Sequence, residues 1–149
     1  MIRPLTSMED PPMSLLLSAD PSEKMVQSYL DEGVCCVMEK HDQIVGAYIL
    51  VPVEADAAEI ANIAVVEKYQ RQGLGKALLL DAFSRAKNLP VSHLLIGTAD
   101  ASIHQLTFYQ AMGFHITGRI SNFFVEHYEE PIYENGVQCR DMIRLAKEL

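Results

Sequence analysis

No apolar run in this 149-residue chain approaches the roughly 20 residues that a membrane span needs. The first dozen residues, MIRPLTSMEDPP, hold acids and prolines where a secretory leader would carry its apolar core, so a cytoplasmic location is expected. Basic residues are scarce: 12 Lys and Arg face 20 Asp and Glu, a net charge of −8, which argues against a nucleic-acid partner. Cysteine is scarce too. Cys35, Cys36 and Cys139 are odd in number, and neighbours on a strand point to opposite faces. They make neither a disulfide framework nor a zinc template, and free thiols with at least partial burial are expected. No two histidines stand four apart, so no metal is expected. Repeats, low-complexity tracts and linkers are missing as well, which leaves one domain over residues 1–149.

What is present reads as alternating strands and helices. An apolar content of 49% is ordinary for a globular domain of this length, which buries roughly two-thirds of its unfolded surface. Strands are expected at Ile2–Leu5, Val34–Glu39, Ile44–Val53, Ala58–Val65, His93–Thr98, Phe114–Ile120 and Gln138–Ala146. Helices are expected at Pro12–Ser18, at Asp20–Leu30 with Asp20 as N-cap, after Gly73, and at Ser102–Met112 closed by Gly113. Val125 to Gly136, polar and aromatic, reads as a loop.

The segment Glu59 to Leu80 carries the most information. An apolar strand runs into Gln70-Arg71-Gln72-Gly73-Leu74-Gly75, which opens directly into a helix. A helix N-terminus offers unpaired N–H groups and a positive dipole end, so a phosphate can be held there without dedicated side chains. A Rossmann turn would need a third glycine where Leu78 stands. A P-loop would need glycine in place of Gln70 and Ser or Thr in place of Ala77.

The pattern Gln-x-x-Gly-x-Gly between a buried strand and a helix resembles the pyrophosphate loop of the GNAT family of N-acetyltransferases. One strand and one helix later, Tyr109-Gln110-Ala111-Met112-Gly113-Phe114 resembles that family's Tyr-x-x-x-Gly-Phe segment, in the right order and on the right elements. The resemblance spans Ile2 to Leu145 and extends to the C-terminal HYEEPIYENGVQCRDMIRL, which looks like a bacterial subgroup of the family. It implies an α/β GNAT fold: a mixed sheet of about seven strands, splayed between the fourth and fifth and flanked by about four helices. It also implies acetyl-CoA as co-substrate. Gln70, Arg71, Gln72, Gly73, Leu74, Gly75 and Lys76 would hold its pyrophosphate, and Ile63, Ala64 and Val65 would pair with its pantetheine arm. Ser102 and Gln105 are further candidate contacts at the start of the last helix. Many members carry Asn there; a carboxylate is unfavourable beside a pyrophosphate, so Asp100 is expected to N-cap that helix through its side chain.

Acetyl transfer to an amine needs proximity, removal of a proton from an ammonium of pKa about 10, and protonation of a departing thiolate. Tyr109 matches the family's acid, and Glu59 matches a glutamate that some members use as base, directly or through water. Taken alone, Tyr109 is also a packing residue beside Leu106 and Met112, and Glu59 a solvated strand end. Asn62 is a candidate to orient water or substrate, and Glu129 and Glu130 to attract a cationic amine. The expected reaction is direct transfer to a primary amine of a small molecule in a ternary complex. The alternatives are a protein or peptide acceptor, or a CoA-binding sensor with weak turnover. Many relatives are dimers, so a homodimer is a further expectation.

Overall fold

The computed structural model describes residues 1–54 and 56–149. Contacts gather into two compact units, residues 1–92 with Leu149, and residues 93–148.

In the first unit, β1 (Ile2–Pro4), β2 (Val34–Lys40), β3 (Gln43–Glu54) and β4 (Ala57–Val65) are antiparallel neighbours in that order. The turn between β2 and β3 is His41-Asp42, both with positive φ (51° and 61°), as a two-residue hairpin of this hand requires. Helices α1 (Met13–Ala19) and α2 (Glu23–Glu32) cover one face. Leu16 and Val26 pack there against Cys35, Val37, Ala47, Ile49 and Val51, the alternate residues of β2 and β3. The other face carries α3 (Leu74–Lys87), whose buried stripe is Leu78, Leu79, Ala82, Phe83 and Ala86. Full burial of Leu78 and Leu79 contributes on the order of 1.5–3 kcal/mol each. Tyr48 of β3 locks this face: its hydroxyl donates to Asp81 Oδ2 at 2.7 Å, and Arg85 Nε donates to the same oxygen at 2.7 Å.

The expected cap of the second helix is corrected. Ser22 Oγ, not Asp20, accepts from a first-turn amide (Met25 N–H, 3.2 Å), while Asp20 Oδ1 accepts from Ser22 N–H at 3.0 Å. Pro21 therefore lies ahead of the helix rather than in it.

In the second unit, β9 (Met142–Glu148) runs antiparallel to β5 (His93–Ala99) on one side and β6 (His115–Ile120) on the other. Helix α4 (Ile103–Ala111) lies between β5 and β6 in sequence, and Gly113, at φ 99°, follows its end. The last strand begins later than expected. Ahead of it, a short helix, α5 (Phe123–Glu126), runs into the segment read as a loop, and a two-residue-stranded hairpin, β7 (Tyr133–Glu134) with β8 (Val137–Gln138), spans its end. Its turn is Asn135-Gly136, with φ of 50° and 79°, a dipeptide that marks tight hairpins in sequence. Among the described residues five α-helices are present, the fifth being α5.

Candidate active site

The strand β4 and helix α3 are joined by a 3-10 turn at Glu67–Tyr69 and by Gln70 to Gly73. Gln70 Nε2 donates to the Val65 carbonyl at 3.0 Å and so folds the turn back onto the strand end. Arg71 and Gly73 both adopt left-handed φ, 63° and 83°, and Gly73 is the N-cap of α3. The first intrahelical bond runs from Ala77 N–H to the Gly73 carbonyl at 3.1 Å. The amides of Leu74, Gly75 and Lys76 therefore have no acceptor within the helix, and Arg71 to Gly73 are exposed. A β-carbon at Gly73 would meet nothing within 4 Å, so the glycine serves the backbone conformation and an open approach. A groove of about 640 Å³ adjoins this corner, walled by Met13, Ser14 and Ser18 of α1 and by Val65, Glu67 and Gln70. A second hollow, about 500 Å³, lies in the other unit and is lined by His93, Gly113, His115, Thr117 and Glu148, so of the two motifs it touches only the glycine that follows α4.

Strand β4 is irregular where Glu59 and Asn62 stand. Val51 pairs with Glu59 and Leu50 with Ile60, but Ile49 pairs with Asn62, which leaves Ala61 as an extra residue. In a regular strand, residues three apart face opposite sides; the bulge puts Glu59 and Asn62 on the same one. That side is the α1 face, since Val51 and Ile49 both pack with Leu16. Asn62 is only 5% exposed, and its Nδ2 donates to the Leu16 carbonyl at 3.0 Å. A carbonyl can only accept, so the amide orientation is determined, and Oδ1 is left buried without a partner.

In the second unit Tyr109 stands on the buried side of α4, 5% exposed, with the Phe114 ring edge-on at 6.0 Å. Ser102, seven residues earlier and so on the same helix face, is equally buried. Its hydroxyl donates to Glu134 Oε2 at 2.6 Å, which brings the β7–β8 hairpin to the start of α4. Burial first, and the Glu134 charge second, hold the Tyr109 phenol above the ordinary tyrosine range, so it remains a proton donor at neutral pH. From sequence Glu134 counts among the acids of this segment able to attract a cationic amine, with no link to α4; the Asn135-Gly136 turn beside it was the available signal.

Other candidates fall apart from these. Gln105 lies in the first turn of α4 and is exposed, as are Glu129 and Glu130. Asp100 does not cap α4. One carboxyl oxygen accepts from Arg140 N–H at 3.0 Å and the other lies 3.7 Å from the Arg119 guanidinium, because the loop ahead of β9 reaches it first. All three thiols are free and buried, with Cys35 pushed up to about 12 by burial. Among the described residues no group of three or more His, Cys, Asp and Glu is placed to hold a metal ion, and no helix is long and apolar enough to cross a membrane.

Comparison with known proteins converges on one family. The sequence model of the acetyltransferase (GNAT) domain matches residues 31–116. The uncharacterized N-acetyltransferase YvbK of Bacillus subtilis is 47% identical over 135 residues, covering 91% of this chain and 87% of that protein. A GNAT family acetyltransferase from Elizabethkingia anophelis, solved with acetyl-CoA bound, superposes with a TM-score of 0.98 at 45% identity over 100% of this chain and 97% of the other. An acetyltransferase of Bacillus subtilis in complex with CoA gives 0.93 at 44% identity, over 99% and 97%.

Proposed function

The chain belongs to the GNAT family and is an acetyl-CoA-dependent N-acetyltransferase with that fold; from this premise we propose that its acceptor is a primary amine of a small molecule, attacked directly in a ternary complex. The observation that carries the cofactor half is the half-exposed first turn of α3 behind left-handed, exposed Gly73. The amides of Leu74, Gly75 and Lys76, with the positive end of the helix dipole, suit a pyrophosphate, and the Lys76 and Arg71 side chains add positive charge. Gln70 and Gln72 frame the turn. Ile63, Ala64 and Val65 would align the pantetheine arm by backbone hydrogen bonds, and Ser102 and Gln105 are the proposed contacts from α4.

Acetyl-CoA, when bound, supplies the thioester carbonyl to be attacked and the thiol that departs. Glu59 takes the proton from the acceptor's ammonium, Asn62 orients what lies beside it, and Tyr109 gives its proton to the departing sulfur. Glu129 and Glu130 attract the cationic acceptor at long range, in keeping with a net charge of −8. Buried, weakly acidic Cys35 and Cys36 support direct attack over an acetyl-cysteine route. The same free thiols support a reducing, cytoplasmic setting.

Thiol release from acetyl-CoA against polyamines, aminoglycosides, amino acids and peptides tests the acceptor class. Intersecting initial-rate lines are expected with the best small amine; parallel lines, or turnover with peptides alone, defeat the proposal. Tyr109→Phe should lower kcat by about 100-fold and leave acetyl-CoA affinity unchanged. An unaltered kcat removes Tyr109 from the reaction.

A further inference from the structure

Helix α3 rests on β3 at two unlike contacts. At Gly46 the strand has no side chain: a β-carbon there would lie 3.0 Å from Leu78 Cδ1, so the second turn of α3 presses onto bare backbone. Two residues along the strand and on the same face, Tyr48 donates its hydroxyl to Asp81 Oδ2 at 2.7 Å. Arg85, one turn further along α3, donates from Nε to the same oxygen at 2.7 Å, so strand and helix grip one carboxylate together. The two contacts differ in kind. Leu78, Leu79 and Ala82 bury apolar surface, which is non-directional and fixes how close α3 lies rather than where it stops along or about its axis. A short hydrogen bond from a fully buried ring is directional, and it sets that stop. Gly46 also pairs with Val65, the last residue of β4, and the Val45 carbonyl accepts from Val66 N–H at 2.8 Å. One stretch of β3 therefore fixes both ends of the turn that runs from Val65 into α3.

We infer that Tyr48 is a positioning residue for the cofactor: through Asp81 it sets the register of α3 on β3, and with it the aim of the Leu74, Gly75 and Lys76 amides. The inference rests on the reading of that turn as the pyrophosphate site. Asp81 stands seven residues after Leu74, about 10 Å along the axis, and a helix carries a shift over that length as a rigid rod. Backbone amides cannot re-aim themselves as a side chain does, so a displacement of about 0.5 Å weakens several bonds to a bound anion at once. Burial holds the Tyr48 phenol well above the ordinary tyrosine range, so the donor is kept at any working pH.

The test compares two probes: CoA, and pantetheine, which keeps the arm and lacks the pyrophosphate and the nucleotide. Calorimetric titration gives the dissociation constant of CoA, and displacement of bound CoA gives that of pantetheine. In Tyr48→Phe the CoA constant should rise about 10-fold while the pantetheine constant changes by less than about 2-fold. Asp81→Asn keeps an oxygen for the Tyr48 hydroxyl and removes the charge shared with Arg85, so its CoA constant should stay within about 3-fold of the native one. Gly46→Ala presses on Leu78 from the strand side and should likewise weaken CoA and spare pantetheine. In the ligand-free protein, the amide signals of Leu74 to Lys76 should shift in Tyr48→Phe. A general loss of stability would lower the urea midpoint but would not part the two probes. Equal changes for both probes in Tyr48→Phe overturn the inference, and so does an Asp81→Asn protein as weak for CoA as Tyr48→Phe. A native protein that binds CoA no tighter than pantetheine defeats the pyrophosphate reading itself. A native preference for CoA that survives intact in Tyr48→Phe defeats only the role of Tyr48.

Discussion

Ser102 and Glu134, 32 positions apart, are joined by a 2.6 Å hydrogen bond that seats the β7–β8 hairpin on the first turn of α4. A carboxylate at a helix N-terminus is favoured by the dipole, and Ser102 is buried, so the bond fixes the hairpin at the end of the helix face that also carries Tyr109.

That placement makes an electrostatic prediction for Tyr109. A nearby carboxylate disfavours the phenolate, so its removal should lower the Tyr109 pKa from its raised value toward the ordinary tyrosine range. Glu134→Gln retains an oxygen for Ser102 and removes only the charge. The Tyr109 signal in protein labelled with 13C at tyrosine Cζ should titrate at lower pH in that variant. Burial is the larger cause, so the midpoint should stay above the ordinary value; an unmoved midpoint would mean the charge does not act on Tyr109.

Gly73→Ala separates backbone strain from steric crowding. With φ at 83° and nothing within 4 Å of a β-carbon, the folded state should lose only about 1–2 kcal/mol, the cost of a left-handed non-glycine residue. CoA affinity should fall about 10-fold or more, because on the proposed reading the methyl would stand where the pyrophosphate approaches. Urea unfolding and calorimetric titration with CoA measure the two effects, and an unchanged affinity would clear Gly73 of any part in the site.

Gly33→Ala should behave in the opposite way. Its backbone is extended, at φ −124°, a conformation open to any residue. The difficulty is packing: a β-carbon would press into the Leu50 carbonyl and lie 2.8 Å from Val51 Cγ2. A loss of about 2–3 kcal/mol in unfolding free energy is expected, with CoA affinity intact. A thermal midpoint equal to that of the parent protein would refute the packing account.

The thiols should be silent in the native protein. Cys35, Cys36 and Cys139 are all buried, and burial raises the pKa of each, Cys35 to about 12. At pH 8 Ellman's reagent should therefore find no fast thiol before denaturation and 3 after it. A native thiol that reacts within seconds would reopen the acetyl-cysteine route.

Much of this architecture is legible in the chain itself. The continuous apolar runs of β2 and β3, the short apolar strand β4, the apolar stripe from Leu78 to Ala86 and the glycine-spaced turn before it are local patterns, set by residues within a few positions of one another. The two motifs, at Gln70–Gly75 and Tyr109–Phe114, are local too, and their order along the chain identified the family. The errors were also local, but at competing signals. Ser22 won the cap from Asp20 because Pro21 placed it nearer the first free amides, and Asn135-Gly136 built a hairpin where composition suggested only a loop.

The sequence by itself determined the alternation of elements, the phosphate-suited turn and the residue types able to move protons. Tertiary structure decided which of those residues meet. The Ala61 bulge turned Glu59 and Asn62 to one side. Asn62 found Leu16 across 46 positions, and Tyr48 found Asp81 across 33. Glu134, rather than Glu129 or Glu130, reached α4. No periodicity encodes such pairings, because each depends on how distant segments pack and on which buried polar atom lacks a partner once they have done so.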